Sequence, residues 1–138
     1  MVKIKYDSQL MKTMSVFEQV THAKLKDAID QENRILFVTE ENEAGRAIGR
    51  HHSNSEKLAR LLKRKIKIVE FNPDIKEFIR NLVHPLNTRE IEETQGTISI
   101  SAGDSETKRI LIGRDAKNLK DLTAVVKRFF DIQAIRIV

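Results

Sequence analysis

The apolar positions of this chain change rhythm several times. Leu10, Met11, Met14 and Phe17 recur at helical spacing behind Asp7-Ser8, a pair with the chemistry of a helix cap. They predict a helix over about 8–20. From Ala23 to Ile29 apolar and polar residues alternate, as in a half-buried strand. Asp30-Gln31-Glu32-Asn33 reads as a polar turn, and Arg34-Ile35-Leu36-Phe37-Val38-Thr39 as a second strand, completing a hairpin. A small-residue segment, Ala44-Gly45-Arg46-Ala47-Ile48-Gly49, precedes Arg50-His51-His52-Ser53-Asn54. Leu58, Leu61 and Leu62 then mark a helix over roughly 53–63, and Lys65 to Phe71 alternates as a strand.

The second half begins at Asn72-Pro73-Asp74. Asn72 can cap a helix and Pro73 suits its first position. Ile75, Phe78, Ile79 and Leu82 supply the apolar face of that helix, which should end near Pro85. Strands are expected at 89–94 and 97–101 around a Gln95-Gly96 turn, and Asp104 or Ser105 should cap a short helix reaching about Ile112. Gly113-Arg114-Asp115-Ala116 breaks it. Leu119, Leu122, Val125, Val126, Phe129 and Phe130 trace a longer helix, and Gln133 to Val138 a last strand.

The halves therefore repeat one order: helix, strand, strand, short helix, glycine break, helix, strand. Ile48-Gly49-Arg50 marks the first break and Ile112-Gly113-Arg114 the second, with Asn54 and Asn118 each five residues after the glycine. Two domains, 1–71 and 72–138, follow from this repeat.

Composition narrows the function. The chain has 138 residues, 40% hydrophobic and 33% charged, with no cysteine, which excludes disulfides and thiolate metal sites. No apolar run approaches membrane-spanning length, and Met1-Val2-Lys3-Ile4-Lys5 is not followed by a signal region, so a cytoplasmic location without membrane association is expected. A net charge of +5 and a pI near 9.6 point to a polyanionic partner. His51-His52 has no spaced carboxylates or thiols to complete a metal shell, so no metal or other cofactor is expected. No Ser–His–Asp pattern, Walker loop or dinucleotide fingerprint occurs, and an enzyme is not expected.

With its isoleucine–glycine break, each half resembles a type II KH domain. The fused pair resembles the archaeal NusA-like transcription factors, on Ala47-Ile48-Gly49-Arg50-His51-His52-Ser53-Asn54 and Ile112-Gly113-Arg114-Asp115-Ala116-Lys117-Asn118. The resemblance implies an α+β fold of two tandem KH domains, each a three-stranded sheet packed against helices. It also implies binding of single-stranded RNA and association with RNA polymerase during elongation and termination. The family loop is Gly-x-x-Gly, and its second glycine is replaced by His52 in one unit and Ala116 in the other.

Such a loop suits RNA for a physical reason. The first glycine allows a sharp turn, and the helix behind it presents free N–H groups and its positive dipole end to phosphate. Bases occupy an adjacent apolar groove, which the family pattern would line with Ile48 and Ile112. Arg46, Arg50, Lys57, Arg60, Lys63, Arg64 and Lys65 lie around the first loop and Lys108, Arg109, Arg114, Lys117, Lys120, Lys127 and Arg128 around the second. The expected RNA-binding set is Arg46, Ile48 to His52, Asn54 and Lys57 with Ile112 to Asn118. His52 either blocks phosphate, pairs with it, or stacks on a base. Asp115 opposes phosphate beside Arg114. More widely, acids such as Glu40, Glu41 and Glu43 are expected on a side away from the RNA.

Two rival readings keep the fold. Loops too degenerate for RNA would leave a protein-interaction adaptor of the transcription machinery. Intact RNA binding could instead serve a ribosome-associated or RNA-processing protein.

Overall fold

The structure is a computed structural model describing residues 8–138. The chain divides into two compact units, Met1–Asn72 and Pro73–Val138.

In the first unit, helix α1 (Ser8–Thr21) leads into strands β1 (Leu25–Gln31) and β2 (Arg34–Thr39). Helices α2 (Ala44–Ile48) and α3 (Ser53–Leu62) then carry the chain to strand β3 (Ile66–Glu70). The sheet order is β1-β2-β3, with β1–β2 antiparallel and β2–β3 parallel. A parallel partner cannot follow through a tight turn, so the α2–α3 pair is the crossover. Fully buried Phe17 of α1 stacks on Phe37 of β2, with ring centroids 4.5 Å apart, and Ala28, Ala47 and Leu58 join them in the core.

The second unit repeats the design with α4 (Ile75–Val83), β4 (Ile91–Thr94), β5 (Thr97–Ile100), α5 (Ser105–Ile112), α6 (Lys117–Phe129) and β6 (Ala134–Ile137). Its sheet is again antiparallel then parallel, in the order β4-β5-β6. Phe78 packs edge-on against Phe129 at 5.5 Å. The phenylalanines Phe17, Phe37 and Phe78 are all core residues. The Gln95-Gly96 turn has both residues at positive φ, as a two-residue hairpin requires.

Several local expectations change. The α1 cap expected at Asp7 lies outside the described residues. Met11 is exposed rather than part of the apolar face, and Thr13 and Thr21 are buried instead. Their hydroxyls donate to the carbonyls of Gln9 and Phe17 at 3.1 and 2.8 Å, which satisfies a polar atom facing the core. Strand β1 runs through Gln31, leaving only Glu32-Asn33 as the turn. Arg64 holds that end, donating to Asp30 Oδ1 at 2.8 Å and Gln31 O at 3.0 Å. Asn72 does not cap α4, and Pro73 stands outside it. Asp74 is the cap, its carboxylate accepting from Lys76 N at 3.0 Å. In the same way Asp104, not Ser105, caps α5 through Thr107 N at 2.7 Å. That hydrogen bond holds the Asp104 carboxyl below its ordinary range. Helix α6 ends at Phe129, and Phe130 is already extended.

Among the described residues, no helix is long and apolar enough to cross a membrane.

Candidate nucleic-acid interface

The two glycine breaks have one backbone. Gly49 sits at φ 79°, ψ 167° and Gly113 at φ 76°, ψ 174°. The third loop residue is left-handed in both, His51 at φ 55°, ψ 34° and Asp115 at φ 54°, ψ 31°. So is the fourth, His52 at φ 62°, ψ 23° and Ala116 at φ 59°, ψ 23°. The positions where the family loop has its second glycine thus keep a glycine-favoured conformation without glycine.

Each loop is tied from behind. The fourth residue donates back to the glycine carbonyl, His52 N to Gly49 O and Ala116 N to Gly113 O, both at 3.2 Å. The repeated asparagines span the break. Asn54 Nδ2 donates to Arg46 O at 3.1 Å, and Asn118 Nδ2 to Ile110 O at 2.7 Å. This clasp sets the need for glycine. A Cβ on Gly113 would lie 2.7 Å from Asn118 Cγ, and one on Gly49 would lie 2.8 Å from Ser53 Oγ and 3.0 Å from Asn54 Cγ.

Beyond the loops, α3 and α6 start without a side-chain cap, so their first-turn N–H groups are not closed off by a cap side chain. Arg50, His51 and His52 are exposed, as are Arg114 and Asp115, while Ala116 is half-buried. Ile48 and Ile112 are half-buried beside the glycines. Arg46 and Lys57 are exposed near the first loop. Lys117 is half-buried and pairs with Asp121 at 3.3 Å, one helical turn on. Together with Arg114, Asp115, Asn118 and Lys120 this pair lines a hollow of about 480 Å³ beside the second loop.

The charge separation expected of the molecule is incomplete. In the first unit Glu40, Glu41 and Glu43 share a hollow of about 580 Å³ with Lys24, Lys26 and Arg46. Lys26 lies 4.3 Å over the Phe71 ring and 3.5 Å from Glu40. Glu43 of that hollow and Glu70 of β3 hold the start of the loop-bearing helix rather than stand aside. Glu43 accepts from Lys24 N at 2.9 Å, and Glu70 from Ala44 N at the start of α2 at 3.4 Å. Neither role has a sequence signal, because both join segments distant along the chain.

A mixed three-stranded sheet, a helix pair crossing over it, and a glycine turn between those helices, all present twice, define two tandem KH-type domains. Over 96% of its length the chain also superposes on all of the crystal structure of APE1850, with a TM-score of 0.76 and 27% identity. No protein-family model matches. In sequence the chain is NusA-like from end to end. It is 24% identical over 140 residues to the probable transcription termination protein NusA of Methanococcus vannielii, covering 99% of this chain and 81% of that one. It is 27% identical over 136 residues to the protein of the same name from Halobacterium salinarum, covering 97% of this chain and 98% of that one.

Proposed function

We propose that this protein is a NusA-like transcription factor that binds single-stranded RNA through KH loops while associated with RNA polymerase. Its two loops, Gly49–His52 and Gly113–Ala116, belong to separate domains, 1–71 and 72–138. The observation that carries this reading is the shared loop backbone. Both turns keep a left-handed pair ahead of an uncapped helix although the second glycine is gone from each. Loops kept only as helix breaks would have no need of that shape twice over. The names of the archaeal relatives support the transcriptional setting.

The test is fluorescence anisotropy with a short single-stranded RNA at 50 and 200 mM salt. A surface that neutralises three phosphates gives a slope of about −2 in log K against log salt, or roughly twentyfold weaker binding across that range. Absence of binding at low salt overturns the RNA reading. Capture of polymerase that survives ribonuclease would then leave the adaptor reading in its place.

A further inference from the structure

Shifting the first unit by 64 residues lays Gly49 on Gly113 and Asn54 on Asn118. The same shift compares the two loop surroundings position by position. Arg50 lies on Arg114, but His51 lies on Asp115, Lys57 on Asp121 and Arg46 on Ile110. Because His51 and Asp115 agree within a few degrees in φ and ψ, their side chains leave the turn in the same direction. Both are exposed. The same shift lays Gly45 on Arg109, Ser53 on Lys117 and Glu56 on Lys120, so basic residues farther out do not favour the first unit, and the contrast is local to the loop tip, at His51 and Asp115.

We infer that the two loops are inequivalent: the first contacts the RNA backbone, and Asp115 makes the second a poor phosphate site. This rests on the RNA reading above and refines it. A carboxylate at the tip stands within a few ångströms of any phosphate that reaches the glycine turn, where like charges repel strongly in a partly desolvated site. It also offsets Arg114 beside it. Lys117 does not compensate, being held by Asp121. In the first loop no acid occupies positions 50–54, so nothing at the tip offsets Arg50 as Asp115 offsets Arg114. His51 is thus a specificity-determining residue at one loop, and Asp115 its counterpart at the other.

The structure supplies its own controls. Histidine is already accommodated at this turn position in one loop and aspartate in the other, so the reciprocal exchanges His51→Asp and Asp115→His place each side chain on a backbone known to accept it. The full chain, with its fold checked by circular dichroism, is titrated with single-stranded RNA by anisotropy alongside Arg50→Asp and Arg114→Asp. Arg50→Asp and His51→Asp should each weaken binding tenfold or more. Arg114→Asp should weaken it less than threefold. Asp115→His should tighten binding at least threefold and steepen the salt slope by about 0.7, the value of one added phosphate contact on a single strand. Equal sensitivity to Arg50→Asp and Arg114→Asp, or no gain from Asp115→His, overturns the inequivalence while leaving RNA binding in place. Failure of every form, wild type included, to bind RNA overturns the RNA reading and this inference with it.

Discussion

Four non-glycine residues hold the left-handed turns of the loops: His51, His52, Asp115 and Ala116. Left-handed backbone costs an ordinary L-residue about 1–2 kcal/mol, and histidine and aspartate tolerate it better than most. Alanine has no polar side chain with which to offset that cost, so Ala116 is the most strained of the four. Ala116→Gly should therefore stabilise the protein, by roughly 0.5 kcal/mol once the greater freedom of glycine in the unfolded chain is deducted. Gly113→Ala should do the opposite. Its φ and ψ lie where essentially only glycine is found, and its Cβ would meet Asn118 at 2.7 Å. A loss of about 3 kcal/mol is expected in urea denaturation, and an unchanged midpoint would show that the clasp yields. At this scale the sequence was informative but incomplete. The recurrence of asparagine five residues after each glycine was visible. That its amide ties two helices together was not, because Arg46 and Ile110, whose carbonyls accept it, share no side-chain chemistry. Thr13 was likewise invisible as a core residue, since its hydroxyl is satisfied only by a helical carbonyl.

At the level of elements, helix α1 brings one fully buried ring to the core, Phe17, with Leu10, Met14, Val16 and Val20 packed against the same cluster. That ring is fully buried against Phe37, and truncating it would leave a cavity under the helix. Phe17→Ala should cost about 3–5 kcal/mol, measured by thermal or urea unfolding. A loss under 1 kcal/mol would mean that the neighbouring α1 side chains collapse into the space. Element types were legible because each has its own period, 3.6 or 2, and the repeat doubled the signal. Ends were less so. Strand β1 recruits polar Asp30 and Gln31 because Arg64, more than thirty residues on, binds them. Helix α4 starts two residues late because Asp74 offers a better-placed acceptor than Asn72. In both places a partner absent from the local window decided the boundary.

The whole molecule is basic, and its stability should respond to pH through a lysine that lies away from the loops. Burial, helped by the nearby Arg34 guanidinium, lowers Lys67 of β3 from its ordinary value of 10.5 to about 8. The folded chain therefore binds fewer protons than the unfolded chain between these values. Stability is penalised below pH 8 and recovers as pH rises from 8 towards 10.5. Because Lys67 is only partly buried, solvent screening reduces the effect to the order of 1 kcal/mol. Urea midpoints at pH 7.5, 9 and 10 should rise for the wild type and rise less for Lys67→Met, and an identical slope in both would assign the effect to other groups.

The parallel strand also sets a timetable for synthesis. The β1–β2 hairpin is local and can form within microseconds. Strand β3 pairs Ile66 with Ile35 and so waits for the whole intervening crossover to be ordered, the slow step in such topologies. Helix α2, which bears one side of the loop, is held at its start by Glu70, the final residue of that late strand. A nascent chain that has emerged only as far as Leu62 contains Gly49, Arg50 and Asn54 but not the strand that seats them. Closure of the first sheet thus adds the Glu70 hold on α2 to a loop whose own ties, from Asn54 to Arg46 and from His52 to Gly49, are local.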